Sequence, residues 1–200
     1  MVRLNDGSLG SVTIGGSVSP AGGNFDEPVT QATLKVVGAF HGLSRARSDA
    51  RRYPAIDPLD SWSKYPSIVD AETIEFAREV LRRGSDVDQM MKVVGEEGTT
   101  IEDFMVYLKA EYVDAVYLQQ DAFDAVDEAT SADRQRVVFG VIADVLRADL
   151  SFPDKDEARK FFHQLTQITR DWNRVEMDTT EFKDLQARVR HQVSEAGSHA

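Results

Sequence analysis

The fold is decided by one stretch of the chain, Arg52-Tyr53-Pro54-Ala55-Ile56-Asp57-Pro58-Leu59-Asp60-Ser61. Each of its two prolines lacks an amide hydrogen and blocks the preceding turn of a helix. Each also favours extended geometry at the residue before it. The stretch is therefore predicted to be a rigid, non-helical hinge that carries one aromatic ring, Tyr53.

The residues before the hinge have the pattern of strands and short helices. β-branched residues alternate over 11–18, which predicts a strand. Pro28 ends a turn-rich loop and suits the first turn of a helix, and a short helix is predicted from Thr30 to Val36. Residues 37–43 predict a second, mostly buried strand, and 44–52 a basic helical turn.

The residues after Tyr65-Pro66 repeat their apolar side chains with a helical period. Longer helices are predicted to begin at Thr100, Ser131, Asp154 and Thr179. A further short helix is predicted from Ser85 to Gly95. Because each apolar stripe is one-sided, the helices are expected to pack as a bundle. The fold class is thus mostly α, with domains over 1–66 and 67–200.

Composition excludes several classes of protein. With 200 residues and 42% hydrophobic content, the chain is long enough to bury a core. Its formal net charge of −11 argues against duplex nucleic acid, which requires a basic face, and against anionic membrane surfaces. The chain has no cysteine and no apolar run of membrane-spanning length, so neither a disulfide nor direct membrane insertion is expected.

Familiar catalytic and metal motifs are missing from the sequence. The glycines of the first 23 residues precede no Gly-Lys-Ser/Thr, so they are interpreted as turns rather than a phosphate loop. The histidines have no metal-ligand spacing, and no metal site is expected; they are His41, His163, His191 and His199. No nucleophile-elbow motif is present either, so no catalytic residue is assigned in this chain.

Two segments carry candidate ligand-binding side chains, with an aromatic ring in the first and two aromatic rings and two side-chain amides in the second. They are Tyr53 with its hinge, and Tyr117-Leu118-Gln119-Gln120-Asp121-Ala122-Phe123. Stacking on an aromatic ring contributes ~1–3 kcal/mol per base, and amides can hydrogen-bond the base edge. The alternative is that these are ordinary core aromatics. On composition alone, the acidic turns Asn24–Glu27 and Gly95–Gly98 are better explained as solvent-exposed loops.

Several longer strings carry a family resemblance. They include Gly22-Gly23-Asn24-Phe25-Asp26-Glu27-Pro28-Val29-Thr30-Gln31, Arg51-Arg52-Tyr53-Pro54-Ala55-Ile56 and Leu118-Gln119-Gln120-Asp121-Ala122-Phe123-Asp124-Ala125-Val126-Asp127. In sequence, order and separation they resemble the C-terminal part of the catalytic A (alpha) subunit of V/A-type ATPases and ATP synthases. The resemblance implies the last strands and short helices of a RecA-like α/β nucleotide-binding domain, followed by a C-terminal helical bundle.

The resemblance also implies roles for individual residues. The adenine side of an ATP pocket is implied for Tyr53, Pro54, Tyr117, Gln119, Gln120 and Phe123. Contact with a central rotor stalk is implied for Asn24, Phe25, Asp26, Glu27, Glu96, Glu97 and Gly98. The bundle would be a lever that moves as nucleotide binds and leaves.

The sequence departs from the family pattern in three respects. Tyr53 replaces the usual phenylalanine, and Asp57–Ser61 is closer to the F-type β subunit. The phosphate loop of the family does not occur in the chain. The chain is therefore expected to be a fragment that is inactive alone, with no bound cofactor, whereas the complete subunit would use ATP or ADP with magnesium.

The partners implied by the resemblance are nucleotide-binding B subunits and the central rotor stalk. The location implied is cytoplasmic, in the peripheral part of a membrane-associated complex that transports protons or sodium. Two alternatives stay open. One is a stand-alone helical protein-interaction module, and the other is an F-type β-subunit fragment, whose C-terminal domain would be shorter.

Overall fold

A computed structural model of the protein describes residues 2–197. The chain divides into two compact units between Phe40 and His41, here called the N-terminal unit and the helical unit. This division falls earlier than the predicted domain boundary between 66 and 67. That boundary was inferred from sequence pattern rather than from compactness, and it stays a prediction.

The N-terminal unit contains little regular structure. Its elements are β1 (Val2–Arg3), β2 (Leu9–Gly10), a 3-10 turn (Ala21–Gly23), α1 (Pro28–Val36) and β3 (Ala39–Phe40). Strands β1 and β2 are antiparallel, with Val2 opposite Gly10 and Arg3 opposite Leu9. The short helix predicted from Thr30 to Val36 is confirmed, and it begins two residues earlier, at Pro28.

The strand predicted over 11–18 is wrong. These residues form neither strand nor helix, and Val12 and Ile14 are 89% and 91% exposed. β-branched side chains favour a strand only where they pack on a neighbouring surface. The β1–β2 sheet does not extend to this segment. Of the strand predicted over 37–43, only Ala39–Phe40 forms.

The helical unit begins with short elements and continues with five longer helices. Its elements are α2 (Arg45–Asp49), β4 (Trp62–Ser63), α3 (Ala71–Val94), α4 (Ile101–Val113), a π-helical turn (Asp114–Leu118), α5 (Ala132–Arg147), α6 (Lys155–Asn173) and α7 (Thr180–Gly197). The mostly α fold class, with a helical bundle after a few strands and short helices, is confirmed.

The predicted helix starts in the bundle are confirmed by side-chain caps. The side chains of Thr100, Ser131 and Asp154 accept hydrogen bonds from backbone amides three residues further on. Thr179 accepts in the same way from the amide of Phe182. Each cap satisfies one of the amides that a helix leaves unpaired in its first turn.

The helix predicted to begin at Ser85 is wrong, because α3 runs unbroken through that position. Gly84 lies against α4, where a β-carbon would come within 2.2 Å of the Ala110 β-carbon. Packing of the two helices keeps the chain helical where local sequence favours a start. Gly95 ends α3 as predicted, with a positive φ of 80°.

The core of the bundle lies between α4, α5, α6 and α7. Ile142, Leu165, Trp172 and Val189 are completely buried there. No helix within residues 2–197 has the length and apolar content needed to cross a membrane.

A buried polar contact joins α4 to α6. The hydroxyls of Tyr112 and Thr169 lie 2.9 Å apart, and Thr169 also donates to the carbonyl of Leu165. Burial raises the pKa of the Tyr112 hydroxyl above its ordinary value.

We expect Tyr112→Phe to lower the free energy of unfolding by about 1 kcal/mol, because one buried hydrogen bond is lost while Thr169 keeps its other partner. Urea denaturation of the chain measures this change. Tyr65→Phe is the matched control, since Tyr65 is 69% exposed. A Tyr112→Phe chain as stable as the wild type would contradict the expectation.

Candidate functional site

The hinge predicted from its two prolines is confirmed as non-helical, with a cis peptide bond between Tyr53 and Pro54. The Asp57 carboxylate accepts from the amides of Leu59 and Asp60 at 2.8 and 3.1 Å. The Asp57 amide donates to the carbonyl of Gly42 at 2.7 Å. These bonds close the hinge into a compact turn.

Arg78 attaches the hinge to the bundle. From helix α3 its guanidinium donates to the carbonyls of Pro58, Leu59 and Ser61, at 2.8, 2.7 and 3.2 Å. An arginine presents its donors in a fixed fork, so three bonds to one turn define that turn's orientation.

The second aromatic and amide segment leaves the helical path after α4. A π-helical turn carries Tyr117, and Gln119 is then extended. The loop that follows is held by carboxylates: Asp121 accepts from the amide of Phe123 at 3.0 Å, and Asp127 accepts from the amide of Asp121 at 2.7 Å. Burial raises the pKa of the Asp127 carboxyl.

The hinge and this second segment meet through their backbones. The amide of Gln120 donates to the carbonyl of Tyr53 over 2.9 Å. Tyr53 is 53% exposed and Phe123 is 100% exposed. Both rings are therefore available to a ligand.

Tyr117 lies on the inner side of the segment instead. Its ring packs on Phe139 with 4.7 Å between centroids, and burial raises the pKa of its hydroxyl. Gln119 is half-buried and Gln120 is exposed. The predicted residues therefore differ in exposure. Tyr53, Gln120 and Phe123 are open to solvent, whereas Gln119 is half-buried and Tyr117 packs inward.

A cavity of about 260 Å³ is lined by both segments and by helices α5 and α6, and of the predicted adenine-side residues only Pro54, Tyr117 and Gln120 line it. Its lining residues are Pro54, Ile56, Pro58, Val116, Tyr117, Leu118, Gln120, Asp127, Thr130, Arg134, Gln135, Val138 and Asn173. Arg134 is 5% exposed and was not among the predicted site residues. A lone arginine in an amphipathic helix gives no local signal that it turns inward.

The first group of predicted stalk-contact residues forms an ordered loop in the N-terminal unit. Phe25 packs edge-on against Phe40 at 5.4 Å, and Glu27 accepts from the Thr30 hydroxyl at 2.9 Å. Asn24 and Asp26 are exposed, and the Asn24 side chain accepts from the Asp26 amide. The exposed part of this loop is therefore Asn24 and Asp26.

The second group forms the turn between α3 and α4. Glu97 and Gly98 are exposed. Glu96 pairs with Arg159 of α6, and Lys155 donates to the Glu96 carbonyl. One of the two glutamates of the turn thus already has a cationic partner within the bundle.

Metal ligands are not gathered anywhere in the described part of the chain. No group of three histidine, aspartate or glutamate side chains within residues 2–197 is arranged to hold an ion. His199 lies outside the described residues, so the expected absence of a metal site stays a prediction.

Two protein-family models match consecutive parts of the chain. Residues 2–63 match the "ATP synthase alpha/beta family, nucleotide-binding domain", and residues 71–156 match the "C-terminal domain of V and A type ATP synthase". These two matches place the chain in the class of ATP synthase alpha/beta subunits that carry a V/A-type C-terminal domain.

Curated relatives narrow the class further. The V-type ATP synthase alpha chain of Treponema denticola is 58% identical over 195 residues, which cover 98% of this chain and 33% of the relative. Alpha chain 1 of Treponema pallidum is 57% identical over 190 residues, covering 95% of this chain and 32% of the relative. This chain belongs to the alpha-chain family of V-type ATP synthases, and it spans about a third of the length of these relatives.

A solved structure shares the fold. The ATP synthase subunit NeqB from Nanoarcheaum equitans superposes with a TM-score of 0.54 at 19% identity, over 68% of this chain and 33% of that one. The helices Lys155–Asn173 and Thr180–Gly197 also distinguish the chain from the shorter bundle expected of an F-type β subunit.

Proposed function

We propose that this chain supplies the adenine side of a nucleotide site and the moving lever of a V-type ATP synthase alpha chain. In that role it helps to couple ATP hydrolysis or synthesis to rotation of a central stalk, and thereby to transport of protons or sodium. The observation that carries the proposal is the 2.9 Å hydrogen bond from Gln120 to Tyr53, which joins two segments with open aromatic rings.

The chemistry of these residues fits adenine. The base offers flat faces for stacking, and the rings of Tyr53 and Phe123 are open to solvent. The amides of Gln119 and Gln120 can both donate to and accept from its edge. The sequence has no phosphate-loop motif, so we assign these residues to the base of ATP or ADP and not to its phosphates or magnesium.

The proposed protein partners are the central stalk and nucleotide-binding B subunits, on the cytoplasmic side of a membrane-associated complex. Two exposed turns support the stalk contact, one with Asn24 and Asp26 and the other with Glu97 and Gly98. Glu96 is also exposed and belongs to the proposed contact, and its pair with Arg159 holds the turn against α6.

We expect Tyr53→Ala in a full-length V-type ATP synthase alpha chain with this sequence to weaken ADP binding about tenfold, since one stacking face contributes ~1–3 kcal/mol per base. Affinity for inorganic tripolyphosphate, which has no base, should not change. Isothermal titration calorimetry of both ligands measures the difference.

Tyr53→Phe is the matched control for this experiment, because it removes the hydroxyl and keeps the ring. It should bind ADP like the wild type. If Tyr53→Ala also binds ADP like the wild type, this segment does not contact adenine.

A further inference from the structure

Asp114 is a buried carboxylate held between two arginines. Its side chain is 6% exposed, and those of Arg47 and Arg52 are 12% and 35% exposed. One carboxylate oxygen accepts from Arg47 Nη1 and the other from Arg52 Nη1. Both oxygens of the carboxylate therefore have a charged partner.

Arg52 also reaches the last turn of α4. Its two terminal nitrogens donate to the two oxygens of Glu111, at 3.1 and 2.7 Å. A bidentate arginine–carboxylate pair fixes the plane of the guanidinium as well as its position. Together, Asp114 and Glu111 leave Arg52 little freedom to rotate.

Stability alone gives a poor reason for this cluster. Burying an ion pair costs desolvation energy that its attraction often fails to recover, and apolar residues of similar volume can be as stable. What the cluster provides is a defined geometry between the segment at 47–52 and the start of the π-helical turn. π-helical turns frequently occur at functional sites.

The cluster adjoins both of the segments that are assigned to the adenine ring. Arg52 immediately precedes Tyr53, and Asp114 is the first residue of the π-helical turn. The carbonyl of Asp114 accepts from the amide of Gln119 at 2.9 Å, next to the bond between Gln120 and Tyr53. Asp114 thus contacts Arg52, next to Tyr53 in the hinge, and Gln119 in the second segment.

The exposure of the rings gives this support a role. Phe123 is 100% exposed and Tyr53 is 53% exposed, so packing fixes neither ring completely. Their spacing therefore depends on the backbone that carries them. That backbone is tied together by Asp114, Arg52 and the amide of Gln120.

We propose that Asp114 is a positioning residue that sets the spacing of the two adenine-side segments, through Arg52 on one side and its own carbonyl on the other. The proposal rests on the proposed function of the site. It adds a residue that touches no ligand itself and acts only through the segments that do.

The first test needs no nucleotide. In Asp114→Asn, amide hydrogen exchange at Gln120 should be about tenfold faster, while core amides such as that of Ile142 keep their rates, because the opening is local. Asp144→Asn is the matched control, since Asp144 is 61% exposed and faces Arg190 at 3.6 Å. Unchanged exchange at Gln120 in a folded Asp114→Asn chain would overturn the proposal.

A second variant covers the case in which Asp114→Asn does not fold. Glu111→Gln removes the charge and one of the two acceptor oxygens from the outer Arg52 contact and leaves Asp114 intact, and Glu111 is 39% exposed. Exchange at Gln120 should then be about threefold faster. Wild-type exchange in this variant would reject the proposal if Asp114→Asn is unfolded.

The second test measures binding of ADP and tripolyphosphate to the full-length alpha chain with this sequence. Asp114→Asn should weaken ADP binding by about tenfold and leave tripolyphosphate binding unchanged, as expected when a contact surface is misplaced but the phosphate contacts are kept. If Tyr53→Ala weakens ADP binding and a folded Asp114→Asn does not, this inference fails alone. If Tyr53→Ala has no effect either, the proposed function fails, and the exchange result still decides whether Asp114 orders the segments.

Discussion

Replacing Arg134 with alanine is expected to lower the free energy of unfolding by about 3 kcal/mol, because a buried charged donor with three partners is lost. The guanidinium donates to the carbonyls of Trp172, Asn173 and Val175 at 3.2, 2.7 and 2.7 Å. Helix α6 ends at Asn173, where carbonyls have no partner within the helix. Arg134 therefore caps α6 from a neighbouring helix, and urea denaturation of the chain measures the loss.

Arg190→Ala is the control for this variant. Arg190 is 59% exposed and lies 3.6 Å from Asp144, a surface pair whose loss should cost less than about 0.5 kcal/mol. Equal stability of the two variants would show that the cap contributes no more than a surface charge.

Alanine substitutions at two helical glycines are expected to have opposite signs. Gly84→Ala should destabilise the chain by about 2 kcal/mol, because the added carbon would lie 2.2 Å from the Ala110 β-carbon and overpack the contact between α3 and α4. Gly140→Ala should stabilise it by about 1 kcal/mol, because α5 has open space there and alanine is the better helix former.

The pair of glycine variants is its own control, since the chemical change is identical and only the surroundings differ. Chemical denaturation at one temperature gives both values. Changes of the same sign at the two positions would contradict the close approach of α3 and α4 at Gly84.

Local chemistry explains which elements could be predicted. Thr100, Ser131 and Asp154 cap the helices that follow them, and a cap needs only residues within one turn. The prolines of the hinge act through their own rings and nearest neighbours, so the absence of helix there could also be predicted.

The failed predictions depended on residues far away in sequence. Ser85 has the chemistry of a helix start, but α3 continues because Gly84 packs on Ala110. Val12 and Ile14 have the chemistry of a strand, but strand formation depends on a pairing partner that local sequence does not specify.

In the candidate site, too, some residues could be predicted from the sequence and others could not. The family resemblance indicated Tyr53 and Gln120, but the hydrogen bond between them joins residues 67 positions apart and has no local signature. Asp114 and Arg134 were not singled out, because isolated charged residues in helices are usually solvated. The apolar surroundings of Asp114, between Val113 and Val116, were the available signal.

The unbroken course of α3 has a mechanical consequence. Its 24 residues make a rod about 36 Å long at 1.5 Å per residue. A tilt of about 10° around its first turn would carry its last turn through about 6 Å over that length. If the helix were broken at Ser85, bending there would take up part of such a rotation. Because α3 is continuous, a small angular change near Ala71 becomes a displacement of several ångströms at Val94.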